Sequence, residues 1–279
     1  MKNIIIFTLF LTVFNSKAQI PLNGLIASFP FNGNANDESG FGNDGIVYGA
    51  ILTEDRFGNP NSAYLFNGVD NYIDLGVNPK LDFLYTEDAT FSLWFITKQQ
   101  LEQRLYSKRD YNNGIEIVPV NDSIFFFIGD NTGKYIFTKS SNIITSDSTW
   151  YNLVFTIDQN NKIAKCYIDG IVQKEIDTKA LKSGIVNSFP AFVGANTDLN
   201  VDLFFNGKID DFFVYNRLLS ESEINQLATG INDGYTIGSN KSIVTIYNMN
   251  GVEVQNEPSL QGLFLVKYSD GTTKKVFKQ

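Results

Sequence analysis

Residues 207–224 read Gly-Lys-Ile-Asp-Asp-Phe-Phe-Val-Tyr-Asn-Arg-Leu-Leu-Ser-Glu-Ser-Glu-Ile, and the stretch changes character half-way. It begins as an aromatic and β-branched run of the kind that packs on a pleated sheet, opened by the adjacent carboxylates Asp210 and Asp211. Ser220 and Glu223 then stand at capping-box spacing, in which serine hydroxyl and glutamate carboxylate each satisfy a free backbone N–H at the start of a helix. No other part of the chain carries a convincing helical pattern. With 24 Phe and 13 Tyr but only 7 Pro in 279 residues, the remainder favours strands, and the fold class is all-β. A chain of this length with 43% apolar residues can bury one large core and still leave a small appendage.

These residues resemble the closing strand and helical turn of LamG-like (laminin G, concanavalin A-like) jelly rolls, which read G-x-I-D-D-v-x-v-Y-x-R-x-L-s-x-x-E-I. Other segments resemble the same family in the same order. A strand-like run at 24–31 precedes a loop at 32–45 dense in Gly, Asn and Asp, residue types that favour turns and left-handed backbone. Residues 63–73 resemble a hairpin of the family, 89–95 a strand, and 150–156 its W-h-h-v-a-x-t strand with Tyr151 and Asn152 where His is frequent. Tyr167-Ile168-Asp169-Gly170 matches its Y-v-D-G turn and is a type I′ hairpin signal on physical grounds as well. The resemblance covers residues 22–229. It implies a two-sheet antiparallel jelly-roll sandwich with one short helix, in which the opening and closing strands are neighbours.

Both ends read differently. Lys2, an apolar run over 4–14 and the small-residue site Ser16-Lys17-Ala18 predict a signal peptide over 1–18 with cleavage before Gln19. The run is short for a span, and nothing later in the chain is a transmembrane candidate. Residues 230–240 are a Gly-, Asn- and Ser-rich linker, and 241–279 form a small C-terminal β domain. The strand patterns at 242–248 and 262–268 and the basic tail resemble the C-terminal sorting domain of bacterial type IX secretion, although the usual opening half with its N-P turn is missing. That resemblance implies export to the medium or cell surface with the type IX secretion machinery as a partner. The alternative is a plain β-hairpin appendage.

Several functions are excluded by what the chain lacks. A formal charge of −8 repels phosphate backbones, so nucleic acid is set aside. Zero histidines and a single cysteine exclude Ser-His-Asp and Cys-His mechanisms, ordinary zinc sites and intrachain disulfides. Cys166 lies in a strand pattern and reads as buried and inert. Chemistry is left to carboxylates, Lys and Tyr, or to a hard cation such as Ca²⁺ held by oxygen ligands.

Glu175 and Asp177 invite comparison with the E-I-D-x-x-E strand of laminarinase-like glycosidases, which share the jelly roll. Alternation puts both on one face, but Lys179 and Ala180 stand where the second catalytic Glu belongs, so the retaining mechanism cannot run. No catalytic residue is assigned and the chain is read as a non-enzyme. For metal, the resemblance brings the 32–44 loop to the base of the last strand, where Asp210, Asp37 and Asn34 are the candidate ligands of a structural Ca²⁺. The competing reading is a loop held by Asx-turns, with Asp211 facing water. Adjacent rings at 125–127, 204–205 and 212–213 must point to both faces of their strands, so one set fills the sandwich and the other awaits a loop, a helix or a sugar. Trp94 and Trp150 are expected in the core, and the polar stretches 109–113 and 130–131 are candidate rim contacts. The function expected is a secreted or cell-surface recognition module binding glycan or an extracellular protein. A carbohydrate-active enzyme and a structural adhesion component are the alternatives.

Overall fold

The structure, a computed structural model, describes residues 20–83, 85–98, 102–140, 148–196 and 203–229, together with the backbone of four strands between 243 and 278. The expected signal peptide (1–18) and linker (230–240) lie outside the described residues. The chain divides into two compact units at Ile231/Asn232.

In the first unit the strands are β1 (Leu25–Phe29), β2 (Ile46–Tyr48), β3 (Ile51–Thr53), β4 (Ala63–Asn67) and β5 (Tyr72–Asp74). They continue with β6 (Ala89–Thr97), β7 (Tyr106–Asp110), β8 (Asn113–Val120), β9 (Ser123–Gly129) and β10 (Tyr135–Lys139). After these come β11 (Tyr151–Asp158), β12 (Ile163–Ile168), β13 (Ile171–Asp177), β14 (Phe192–Val193), β15 (Asn206–Tyr215) and the helix α1 (Glu221–Thr229). One antiparallel sheet runs β13-β12-β11-β6-β15-β4-β3, with β1 also paired to β15; the second runs β10-β9-β8-β7-β14-β5-β2. This is the two-sheet sandwich expected, and β1 lies beside β15 as the resemblance implies, with Ser28 opposite Phe213 and Phe29 opposite Phe212.

Alternation explains the core. On β6 the rings of Phe91 and Phe95 and the side chain of Leu93 point inward, and on β9 Ile124, Phe126 and Ile128 do the same. Phe126 stacks on Phe155 of the facing sheet with centroids 4.5 Å apart, and Phe29 stacks on Phe212 at 6.0 Å. Burying each such ring contributes about 2–3 kcal/mol, so this aromatic layer carries much of the fold's stability. The doubled aromatics split as alternation requires. Phe126, Phe205 and Phe212 fill the sandwich, while Phe213 joins Tyr215, Val154 and Tyr167 in a separate cluster on the outer face, covered by Leu219, Ile224 and Leu227. Phe125 and Phe127 lie on the outer face of the other sheet, stacked on Phe137 and Tyr135 of β10.

The helix starts as its sequence predicts. Glu223 N–H donates to the Ser220 hydroxyl at 3.3 Å and Ser220 N–H donates to the Glu223 carboxylate at 2.8 Å. The two-residue turn between β12 and β13 has positive φ at both Asp169 (50°) and Gly170 (79°), the type I′ geometry. Two expectations are corrected. Residues 63–73 are not a hairpin: β4 pairs with β3 and β15 while β5 pairs with β2 and β14, so the Asn67–Asn71 turn carries the chain from one sheet to the other. Trp94 and Trp150 are half-buried instead of core, because Leu93 and Phe95 already take the inward positions around Trp94.

In the second unit β16 (Ile243–Asn248), β17 (Glu253–Val254), β18 (Gly262–Tyr268) and β19 (Thr273–Lys278) form one antiparallel sheet in the order β17-β16-β18-β19.

Candidate functional site

A cavity of about 440 Å³ opens on the outer face of the β1-containing sheet, beside α1. Its floor comes from β6 and β15, its wall from the 54–62 loop between β3 and β4, and its roof from Gln226 and Leu227 of the helix. The volume lies in the range of small-molecule sites.

Its centre depends on an irregularity in β15. Opposite Trp94 and Ser92, two residues apart on β6, stand Asp210 and Phe213, three apart on β15, so β15 carries one extra residue. Asp211 absorbs it with φ at 49°, a left-handed conformation that Asp tolerates better than most residues. In a regular strand Asp210 and Asp211 would face opposite sides of the sheet. The bulge lets both reach one guanidinium: Arg56 Nη1 lies 2.7 Å from Asp210 Oδ2, and Nη2 lies 2.7 Å from Asp211 Oδ2. Arg56 is flanked by rings, its Cζ 4.5 Å from the centroids of both Phe57 and Trp94. Trp94 is fixed in turn by its Nε1–H, which donates to the Leu227 carbonyl at 3.2 Å.

The loop that delivers Arg56 is preformed. Asp55 accepts hydrogen bonds from Phe57 N, Asn59 N and Asn59 Nδ2, each at 2.8 Å, closing an Asx-turn whose tip presents Phe57 with 60% of its surface exposed. Electrostatically the site is short of positive charge. Burial and the neighbouring Asp211 push the Asp210 carboxyl above the usual carboxylate range, against the pull of Arg56. Asp211 is raised as well, by burial first, again opposed by Arg56.

The three nominated calcium ligands have other partners. Asn34 is exposed and its Oδ1 accepts from Asn36 N at 2.8 Å. Asp37 is buried and its two oxygens accept five hydrogen bonds, from Ser28 N, Ser39 N and Oγ, and Asn43 N and Nδ2. Burial opposes its ionisation, but the bonds from Ser39, Ser28 and Asn43 outweigh that and hold its pKa below the usual value. Asp210 faces Arg56, which stands where a cation would. The loop does reach the last strand, since Asn32 and Glu38 line the same cavity as Asp210. Among the described residues no group of three or more His, Cys, Asp or Glu side chains is placed to hold a metal. Sequence reasoning missed Arg56, Phe57 and the outward Trp94; the available signal was an unpaired Asp-Asp within an apolar strand, which demands a cation from elsewhere.

The other candidates lie apart from the cavity. Glu175 and Asp177 sit on the edge strand β13, exposed, Glu175 3.3 Å from Lys165 Nζ and Asp177 3.3 Å from Lys179 Nζ. Arg109 closes on Glu116 at 2.6 Å and on the Tyr111 carbonyl, and Asp130 ties its own turn to Lys182 and Ser183. Cys166 is fully buried, and burial pushes its thiol up, which keeps it inert.

Residues 67–225 match the Laminin_G_3 family, described as the concanavalin A-like lectin/glucanases superfamily. The chain belongs to this superfamily. One relative of this lectin/glucanase-type chain is Paraclostridial mosquitocidal protein 1 of Paraclostridium bifermentans, 28% identical over 169 residues that span 54% of this chain but only 13% of the relative. The binding domain of that protein superposes with a TM-score of 0.62 at 22% identity, over 74% of this chain and 52% of the domain. The ligand binding domain of botulinum neurotoxin serotype D, solved with N-acetylneuraminic acid, gives 0.59 at 17% identity over 88% of this chain and 61% of its own. Domain 4 of AbnA, a GH43 extracellular arabinanase from Geobacillus stearothermophilus solved with arabinotriose, gives 0.56 at 21% identity over 73% of this chain and 98% of its own. At these identities the structural likenesses show the fold alone.

Proposed function

We propose that this chain is a non-catalytic recognition module, secreted or held at the cell surface, that binds carbohydrate through the cavity beside α1. The observation that carries this reading is the cavity itself, in which an exposed aromatic ring, Phe57, stands next to carboxylates held in fixed orientation by Arg56. Sugars are recognised by such pairings: an apolar ring meets the C–H face, and oriented polar groups meet the hydroxyls. The superfamily relatives support it through what their names say, a toxin binding domain and domains solved with N-acetylneuraminic acid and arabinotriose. A non-enzyme is favoured because Glu175 and Asp177 are exposed and ion-paired on an edge strand and neither lines the cavity. Among the described residues no helix is long and apolar enough to cross a membrane. Export is proposed to depend on removal of 1–18 and on delivery of 241–279 to the type IX machinery.

A glycan-array screen of the protein, followed by incubation with laminarin, agarose, alginate and xylan, tests the reading. Binding to at least one glycan without release of reducing sugar is the expected result. Turnover that disappears in Glu175→Gln would overturn the non-catalytic assignment, and the absence of any glycan bound would overturn carbohydrate recognition.

A further inference from the structure

The cavity is lined by four carboxylates, Glu38, Asp55, Asp210 and Asp211, and by one cationic side chain, Arg56. The single positive charge of Arg56 is set against two carboxylates. Both of its terminal nitrogens are bonded to Asp210 and Asp211, and rings stand against it at Phe57 and Trp94. Even if the Asp210–Asp211 pair retains one proton, the lining stays net negative.

The four carboxylates are not equivalent. Asp55 is engaged by three N–H donors of its own turn, and Asp210 is only 2% exposed and bonded to Arg56. Asp211 differs in that one oxygen takes the Arg56 bond while the side chain keeps 21% of its surface open. It is therefore a carboxylate with fixed orientation and an acceptor oxygen left over. Glu38 stands exposed at the rim and adds a second acceptor with negative charge. A carboxylate only accepts hydrogen bonds, so the partner it selects must donate, as every sugar hydroxyl does, and such charge-assisted bonds are about twice as strong as neutral ones. The carboxylate of an acidic sugar brings no proton and places like charge against like in a partly desolvated site.

We propose that this cavity selects uncharged sugars and rejects acidic ones, and that Asp211, oriented by Arg56, is the residue that sets the choice. The inference rests on the recognition reading above and goes beyond it by naming the ligand class and the specificity determinant. Phe57 contributes affinity without discrimination, since its exposed ring stacks on the C–H face of either kind of sugar.

Calorimetric titration with matched pairs that differ by one acidic residue, lactose against 3′-sialyllactose and xylotriose against its glucuronic-acid-bearing counterpart, tests this. Within a pair that binds, the neutral member is expected to bind about tenfold tighter or more, a difference of about 1.4 kcal/mol. Asp211→Asn, whose amide oxygen can still meet Arg56, should weaken the neutral ligand and narrow the ratio between members. Phe57→Ala should weaken both members and leave their ratio unchanged. An acidic member that binds as tightly as its neutral partner, or a ratio unmoved by Asp211→Asn, overturns the inference. Binding that persists unaltered in both variants overturns it too, while leaving sugar recognition by the chain intact. If no member of either pair binds, and no glycan binds on the array, both readings fall together.

Discussion

Removing Arg56 is the sharpest perturbation of this site, because two carboxylates depend on it and one of them is almost completely out of solvent. In Arg56→Ala the Asp210–Asp211 pair must either stay charged without a counterion or take up a proton. Stranding one partner of a buried ion pair costs about 3–5 kcal/mol. Proton uptake limits that cost in a pH-dependent way. An aspartate with an unfolded pKa of about 3.9 costs about 1.4 kcal/mol to neutralise for each pH unit above that value, hence about 1.5 kcal/mol at pH 5 and about 5 at pH 7.5. The sign follows from the direction of the shift. A carboxyl whose pKa is raised on folding holds its proton more tightly in the native state, so stability falls as pH rises from the unfolded pKa through the folded one. Arg56→Ala should therefore destabilise by about 3 kcal/mol or more at pH 7.5 and by less than about 2 at pH 5. Urea unfolding followed by tryptophan fluorescence at the two pH values measures this, with Trp94 in contact with the deleted group. Adding Asp210→Asn to Arg56→Ala should recover much of the loss at pH 7.5. A penalty under about 1 kcal/mol at pH 7.5, or one that grows on acidification, would refute the reasoning.

Asp37→Ala removes the acceptor for five hydrogen bonds and should cost about 2–3 kcal/mol by thermal melting, the same with and without EDTA if N–H groups alone hold the loop; a chelator-dependent difference would instead show calcium there. Glu223 is pulled down to about 2 chiefly by its bond to Arg217, so its contribution is complete above the unfolded pKa and is lost as pH falls from there towards 2. Because the side chain is partly solvated, Glu223→Gln should cost only about 1 kcal/mol at pH 7, shrinking to a small fraction of that as pH approaches about 2 in the same unfolding assay, and a penalty constant across that range would contradict the assignment.

Local features of the fold were legible in the sequence, and pairings across it were not. The capping box of Ser220 and Glu223 and the turn at Asp169-Gly170 depend on residues within four positions of each other, so composition alone specifies them. The neighbouring of β1 and β15 followed from family resemblance, since no local rule pairs strands almost two hundred residues apart. Arg56 was invisible because it sits in a short loop without a motif and meets Asp210 across 154 positions of chain. The Asp37 loop was read as rich in oxygen acceptors, and sequence left open whether a cation or the turns of the loop itself would engage them; the backbone and amide N–H groups that meet Asp37 come from positions no local rule assigns. Trp94 shows the same boundary. Its strand was evident, and its direction was fixed only by which neighbours fill the sandwich.

The bulge at Asp211 has a consequence for the register of the whole strand. Because the strand spends one residue more than its partner there, Asp210 and Asp211 together occupy a single step of the pleat, and Ile209 and Phe212 on either side both still point into the core. Removing position 211 would leave Asp210 opposite Trp94, Phe212 opposite Leu93 and Phe213 opposite Ser92, an unbroken ladder with every inward ring in place. The residue that completes the Arg56 clamp thus adds one position to the strand without changing the phase of the side chains on either side of it. A sheet built this way presents two carboxylates to one guanidinium on its outer face while its interior keeps its register.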